Sequence, residues 1–299
     1  MELPPENLND VPAERISLEP PLLNWAGSDF EQKIGFKGGR FTAVNNVVSF
    51  FMAILLTGLF YLIIIYGLNR WEPTQFVAEM FLRGGGVIPI PTAFLFFWCA
   101  SILIVKKKKL AFQRRALDLK PFPDDPEFLL NPKTAQDVLR EVHRLVDDTR
   151  HFVLLNRIER ALSNLRNIGR ISDVSEILQT QADYDEGHQE SSYRLINGFI
   201  WAIPVLGFIG TVLGLSSAIG GFGDTLAAAG EDINALKESL GGITSGLSTA
   251  FETTLIALVA ALVVQVWMTF TQQKEALFLD ECNDYCHAHV VSKLRLREE

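Results

Sequence analysis

The sequence predicts an all-α, polytopic membrane protein with four transmembrane helices and a cytoplasmic helical bundle. Of its 299 residues, 48% are hydrophobic, and they are concentrated in blocks rather than spread along the chain. Elsewhere apolar residues recur at intervals of three and four, which is the period of an amphipathic helix. No stretch shows the alternation of a half-buried strand, so no sheet is expected.

Four apolar runs are long enough to cross a hydrocarbon core of about 30 Å, given a rise of about 1.5 Å per helical residue. They cover residues 44–68, 87–105, 196–219 and 243–270. Lys and Arg are in excess before the first run and after the second, where lysines fill positions 106–109. Because cytoplasmic flanks carry this excess, we expect both ends of the chain in the cytoplasm.

This alternation divides the chain into five expected regions. They are a cytoplasmic N-terminal segment (1–43), transmembrane helices 1 and 2 (44–106), a cytoplasmic helical domain (107–194), a domain of transmembrane helices 3 and 4 (195–272) and a cytoplasmic C-terminal helix (273–299). The connections 69–86 and 220–242 are expected on the outer side. The acidic start lacks the basic and then apolar pattern of a cleavable signal peptide.

Charge and composition narrow the function classes. The net charge of −8 argues against a nucleic-acid partner, since neutralising phosphates requires a basic face. The four consecutive lysines are interpreted as a signal that orients the second transmembrane helix and contacts anionic lipid of the bilayer. An enzyme is the least expected class, because no histidine has a Ser or Cys arranged for nucleophilic catalysis.

The cytoplasmic domain is predicted to consist of long helices. After a proline-rich linker, Thr134 and Asp137 form a pattern that predicts a capping box. Apolar residues then recur at three and four from 138 to 168, which predicts one amphipathic helix. A second helix is expected from 172 into the third run, and residues 271–296 are expected to continue the fourth run as a helix.

The three cysteines give no disulfide framework. Cys99 lies in a membrane run, and Cys282, Cys286 and His289 fall on one face of the tail helix at i, i+4 and i+7. The face could hold a transition metal, or it could simply pack or be solvated. Because the spacing matches no standard zinc finger, the second reading is favoured, and neither a metal nor a cofactor is expected.

The third and fourth runs carry matching faces of small residues. In the third, Gly207, Thr211, Gly214 and Ala218 share one side, and Gly210 and Gly214 form a G-x-x-x-G; the fourth presents Gly246, Ala250, Thr254, Ala257 and Ala261, with Thr253 beside them. Small faces let helices approach closely in a bilayer. The faces therefore serve either helix packing alone or a narrow pore in which threonine hydroxyls relay hydrogen bonds.

Two residues in these runs are unusual for hydrocarbon. Pro204 removes a helical hydrogen bond, which produces either a static kink or a flexible point beside a pathway. Glu252 is an intramembrane carboxyl, which is a functional candidate by default. At about 100° per residue it lies about 160° from Thr254, so both cannot face one lumen. It is either a buried structural carboxyl or a second ion-binding group.

The sequences IPVLGFIGTVLGL and GGITSGLSTAFETTLIALVAAL resemble the paired helix motifs of the MotA/TolQ/ExbB proton-channel family. The resemblance covers roughly residues 193–272. It implies a subunit of an ion-motive-force-driven motor: a homopentamer around a dimer of a single-span MotB/TolR/ExbD-like protein that carries a membrane aspartate. Flow of protons, or of sodium ions, would move one component against the other and perform mechanical work.

The resemblance also assigns residues and a location. The family's pore threonines fall on Thr211 and Thr254, and its third-helix proline and glycine fall on Pro204 and Gly207. The implied location is the bacterial inner membrane. Four spans resemble the flagellar-stator layout, whereas the glycine and threonine pattern resembles the TolQ/ExbB branch, so the motor's task is not assigned. The alternative is a non-conducting membrane scaffold.

Overall fold

The computed structural model describes residues 21–36, 38–67, 72–82, 87–123, 125, 127–163, 165, 171–229 and 233–295. Over these ranges the regular secondary structure is helical. Two isolated β-bridges pair Leu23 with Val146 and Leu130 with Leu294. The predicted all-α class is therefore confirmed. The helices are α1 (Trp25–Ser28), α2 (Phe30–Lys33), α3 (Asn46–Tyr66), α4 (Glu72–Leu82), α5 (Pro89–Arg114), α6 (Thr134–Leu145), α7 (Val153–Ser163), α8 (Ile171–Ser192), α9 (Arg194–Ala229) and α10 (Ile233–Cys286).

Four helical stretches are long and apolar enough to span a membrane, as predicted; they contain α3, α5, α9 and α10. The helices extend beyond the apolar runs. The expected connection 220–242 is helical over most of its length, because α9 continues to Ala229 and α10 begins at Ile233. These extensions contain charged residues, Asp224, Lys237 and Glu238, which end an apolar run without ending a helix, and their alanines and leucines favour a helix.

The membrane helices pack around α10. α9 and α10 form an antiparallel hairpin with the most extensive contact in the described structure, and α5 packs against α3, α9 and α10. The 54 residues of α10 continue past the fourth apolar run to Cys286, and a π-helical stretch (His287–Val291) follows, so the tail is helical but ends before the expected residue 296. A single helix therefore connects the membrane hairpin to the bundle formed by α6, α7 and α8.

The single long helix predicted over 138–168 is wrong. The chain forms α6, a 3₁₀ turn (Thr149–His151) and α7 instead. The break is used to hold the N-terminal segment, since Leu23 donates its N–H to the Leu145 carbonyl at 3.1 Å. The carboxylate of Asp147 then accepts the N–H groups of Trp25 and Ala26 at 3.0 and 3.1 Å, which caps α1.

The predicted capping box at the start of α6 is also corrected. The side-chain oxygen of Asn131 accepts the N–H of Thr134 at 3.1 Å, and the Thr134 hydroxyl accepts the N–H of Asn131 at 2.9 Å. The reciprocal cap therefore begins three residues earlier than the T-x-x-D pattern suggests. Asp137 forms an exposed ion pair with Arg140 instead.

The core outside the membrane helices joins the N-terminal segment, α6, α7, α8 and the end of α10. Trp25 is 1% exposed and stacks on His151 with ring centroids 5.5 Å apart. Cys282 and Cys286 belong to this core, and burial raises the pKa of the Cys286 thiol to about 12. His289 stacks on Tyr285 at 4.2 Å. The tail face is thus a packing surface in this structure.

Candidate functional site

The small residues of α9 and α10 meet in one seam. A Cβ atom added to Gly214 would lie 2.8 Å from the Gly246 carbonyl oxygen, and one added to Gly246 would lie 2.8 Å from the Ala218 Cβ. Real Cβ atoms do not come so close to their neighbours, so the two backbones are in contact here. This close approach is the kind of packing that small residues permit in a bilayer.

The seam continues toward the start of α9 with the same close contacts between small residues. A Cβ at Gly207 would lie 2.7 Å from the Ala257 Cβ, and one at Gly210 would overlap Thr253. Ala250 and Ala257 are fully buried. The structure therefore places these small residues between α9 and α10: Gly207, Gly210, Gly214, Ala218, Gly246, Ala250 and Ala257.

Two hydroxyls meet at one rim of this seam. The Oγ1 atoms of Thr211 and Thr254 are 2.5 Å apart, and each lies within reach of the Gly207 carbonyl oxygen, at 3.1 and 3.0 Å. Both side chains are half-buried. The two threonines, 43 residues apart in sequence, therefore form one hydroxyl pair.

The number of hydroxyl hydrogens in the pair decides which hydrogen bonds it can form with a ligand. A hydroxyl has one hydrogen and two lone pairs. At 2.5 Å one hydroxyl donates to the other, and the second can donate to a backbone carbonyl, which is Gly207 for either threonine or Ala250 for Thr254. With both hydrogens used in this way, the remaining lone pairs can accept a hydrogen bond from a ligand.

Apolar side chains border the pair on both sides. At about 100° per residue, Phe208 and Leu215 lie within about 60° of Thr211 on α9, and Phe251 and Leu258 lie within the same angle of Thr254 on α10. All four are exposed, Phe208 by 59% and Phe251 by 63%. The antiparallel register places Phe208 near the level of Leu258, and Leu215 near that of Phe251. The hydroxyl pair is thus a narrow polar band between two apolar layers.

Thr253 and Pro204 occupy different surroundings from the pair. Thr253 is 5% exposed, faces Gly210, and donates its hydroxyl to the Ala250 carbonyl at 3.0 Å. It lies on the side of the seam that approaches Ile88, the residue before α5. Pro204 is half-buried two turns before Thr211, and α9 runs through it without interruption.

Glu252 lies away from the seam. Its Oε1 accepts the Ser248 hydroxyl at 2.7 Å, one turn earlier on α10. The side chain is half-buried and points to the side of α10 that is opposite Thr254. The structure therefore brings Thr211 and Thr254 together and leaves Glu252 apart from them.

A buried polar cluster at the other end of the hairpin is absent from the sequence predictions. Glu275 of α10 is 3% exposed and accepts the Tyr193 hydroxyl at 2.7 Å, a hydrogen bond from the Thr42 hydroxyl, and the Lys106 ammonium at 3.2 Å. Lys106 is 1% exposed, and its Nζ lies 4.1 Å from the Tyr193 ring centroid. One carboxylate therefore joins α5, α10, the start of α9 and the N-terminal segment.

A second lysine of the 106–109 run is buried in the same way. Lys109 Nζ lies 2.5 Å from Glu31 and 3.7 Å from Asp29, and it donates to the Ala43 carbonyl at 2.9 Å. The interpretation of all four lysines as lipid-contacting is therefore wrong for Lys106 and Lys109, whereas Lys107 and Lys108 are exposed.

Periodicity in α10 provides a signal that could have identified Glu275. Buried positions recur at four and three along the helix: Ala250, Ala257, Ala261, Val264, Met268, Thr271, Glu275, Phe278, Cys282 and Cys286. Glu275 is the one ionisable carboxyl in this stripe. A carboxylate at a buried helical position needs a cationic partner, and Lys106 provides it.

Comparison with known proteins agrees with the geometry of the hairpin. Residues 151–282 match the family model of the MotA/TolQ/ExbB proton channel family. No curated protein and no solved structure matches the chain. The matched region contains α7, α8, α9 and most of α10, and with them the seam, the hydroxyl pair and Glu275. Residues 151–282 of this multi-pass membrane protein are therefore similar to the MotA/TolQ/ExbB proton channel family.

Proposed function

We propose that this chain is the ion-conducting subunit of a motor driven by the ion-motive force. Five copies surround a dimer of a single-span MotB/TolR/ExbD-like protein in the bacterial inner membrane, with both termini of this chain in the cytoplasm. The conducted ion is the proton, with sodium as the alternative that the test below distinguishes. The similarity to the family supports the class of function.

The observation that carries the proposal is the Thr211–Thr254 hydroxyl pair on an exposed face between apolar layers. Because the pair acts as an acceptor, its natural ligand is a donor such as a protonated carboxyl. Within the runs 196–219 and 243–270 the one acid is Glu252, which lies on the opposite side of α10. The acid that meets the pair therefore comes from the partner.

Protonation of that acid couples ion flow to movement of the partner. A carboxylate is costly in hydrocarbon, whereas the neutral acid can leave water and donate to the threonine pair. Movement past the apolar layers is thus permitted after loading from the outer side, and release to the cytoplasm restores the charge. Each elementary charge that crosses about 100 mV provides about 2.3 kcal/mol, so mechanical work accumulates over repeated steps.

A non-conducting scaffold is the second candidate, and one observation favours it. Gly207, Gly210, Gly214 and Gly246 are all in contact with the opposite helix of the same chain. Packing alone therefore explains each of these glycines without a pore. It does not explain why a hydroxyl pair lies at the rim with bulky apolar residues on either side.

Valine substitutions of the pair separate the two candidates. The complex with its single-span partner is reconstituted in liposomes, and pH-driven and sodium-driven fluxes are recorded. Channel function predicts that Thr211→Val and Thr254→Val abolish flux while subunit number, measured by light scattering, is unchanged. Thr249→Val is the matched control, because that hydroxyl bonds the Ser245 carbonyl on another face of α10.

Unchanged flux in both Val variants, or a wild-type complex that conducts neither ion, would support the scaffold. Thr253→Val tests whether the third threonine takes part. We propose it as a pathway residue adjacent to the pair, so its loss should lower flux; full flux would assign it to packing alone. Glu252→Gln tests the intramembrane carboxyl in the same assay: retained flux with intact assembly makes it structural.

A further inference from the structure

The lysine run 106–109 of α5 contains two buried and two exposed lysines. Lys106 forms an ion pair with Glu275, and Lys109 forms ion pairs with Glu31 and Asp29. Lys107 and Lys108 are both exposed, and neither takes part in the proposed ion pathway. They are neighbours on the same helix, yet they differ in surroundings, because Lys108 lines a groove that Lys107 does not line.

The groove lies where the apolar parts of α3 and α5 end. Met52 of α3 and Ile104 and Val105 of α5 form its apolar floor, and Trp25 and Ser28 of the N-terminal segment form its other wall. Its volume is about 100 Å³, which is more than the share of about 30 Å³ that one water molecule occupies in the liquid. The opening is therefore large enough for part of an organic molecule.

The accessible charge at this groove is positive. Asp29 also lines the wall, but its side chain is 1% exposed and lies 3.7 Å from Lys109. The reachable polar groups are the exposed Lys108 ammonium and the exposed Ser28 hydroxyl. A cation and a hydroxyl above an apolar floor match a phosphate joined to a hydrocarbon chain. Their position at the end of an apolar helix run is the level of lipid headgroups.

We propose that this groove binds a phospholipid of the leaflet beside the helical bundle, with the phosphate at Lys108 and Ser28 and the start of an acyl chain on Met52, Ile104 and Val105. Lys108 forms a charge-assisted hydrogen bond to the phosphate, which is stronger than a neutral one. The bound lipid fills the space between the N-terminal segment and the membrane helices. The site is independent of ion conduction and needs no partner protein.

The test is a binding titration of the purified, delipidated full chain in detergent with phosphatidylglycerol, followed by native mass spectrometry. Lys108→Gln should weaken lipid binding about tenfold or more, because it removes a charge-assisted hydrogen bond. Lys107→Gln makes the same charge change one residue away and should stay within about twofold of wild type, because Lys107 does not line the groove. Lys108→Arg should retain binding.

Three outcomes would overturn the proposal. Equal weakening by Lys107→Gln and Lys108→Gln would show general attraction between charges and no site. Full lipid binding by the Lys108→Gln variant would show that Lys108 does not contact the phosphate. Displacement of the lipid by inorganic phosphate alone would identify an anion site that does not use the apolar floor. Retained helicity in circular dichroism establishes for each variant that the chain is folded.

Discussion

Replacing Glu275 by glutamine should destabilise the protein more than any other single change of charge on α10. The carboxylate is 3% exposed and receives Lys106 at 3.2 Å, Tyr193 at 2.7 Å and the Thr42 hydroxyl. Gln keeps the shape but removes the negative charge, so the Lys106 ammonium remains buried without a counter-charge. Breaking a buried pair from one side costs about 3–5 kcal/mol, a large part of a typical total of about 5–15 kcal/mol.

The assay is equilibrium unfolding of the purified chain in mixed micelles, with Glu281→Gln as the matched control. Glu281 is also on α10, but its pair with Arg114, at 3.2 Å, is about half exposed on both sides. Such a surface pair contributes about 0–1 kcal/mol. Adding Lys106→Met to Glu275→Gln should recover most of the loss, because the uncompensated charge is then gone.

A loss below about 1 kcal/mol for Glu275→Gln, or strict additivity with Lys106→Met, would refute this reasoning. Either result would mean that Lys106 does not depend on Glu275 for its charge. The carboxylate would then be one of several exchangeable contacts between α10 and the N-terminal segment.

Three further predictions address the seam, the core and the N-terminal segment. Gly214→Val should lower the stability of the hairpin by about 1–3 kcal/mol in the same assay, since overpacking forces the backbones apart. Gly198→Ala is the control: an added Cβ there has no neighbour within 4 Å, so the change should stabilise α9 by up to about 1 kcal/mol. Cys286, whose thiol pKa burial raises to about 12, should resist maleimide at pH 8 and react rapidly after denaturation, because the thiolate is the reactive form; rapid labelling of the native chain would contradict its burial. Asp147→Ala removes the carboxylate that accepts the Trp25 and Ala26 N–H groups, costs about 1 kcal/mol, and should speed proteolysis near residue 25. An unchanged cleavage rate would show that Asp147 does not hold the segment.

The membrane helices and the seam could be predicted from the sequence because hydropathy and small-residue spacing act locally. Helix ends were less predictable, since hydropathy reports where hydrocarbon ends and not where a helix ends. The break before α7 was hidden for a related reason. Val146 and Phe152 flank it and are both buried, at 3% and 0% exposure, so the apolar period continues through a segment that is not one helix.

The buried charges could be found only with tertiary contacts. Four consecutive lysines look alike in sequence. In a helix, however, the first and fourth lie on one face and the two between them lie on another. Lys106 and Lys109 therefore face inward together, and their partners come from residues 31 and 275, at separations of 78 and 169 residues. No local pattern connects groups so far apart, whereas the buried stripe on α10 would have singled out Glu275 as the residue in need of a cation.

The arrangement of hydrogens in the threonine pair leads to a last prediction that a packing role does not share. The acceptor function requires both hydroxyls and neither methyl, because the outward lone pairs belong to Oγ1 atoms 2.5 Å apart. Thr254→Ser and Thr211→Ser keep both oxygens and should retain most of the ion flux, whereas the Val variants keep the volume and lose the acceptor. If the pair served packing, the order would reverse, since Val fills the seam and Ser leaves a gap in it. Flux and stability measured on the same four variants therefore separate the two roles: a flux that follows volume instead of the hydroxyl would refute the assignment of Thr211 and Thr254 to the pathway.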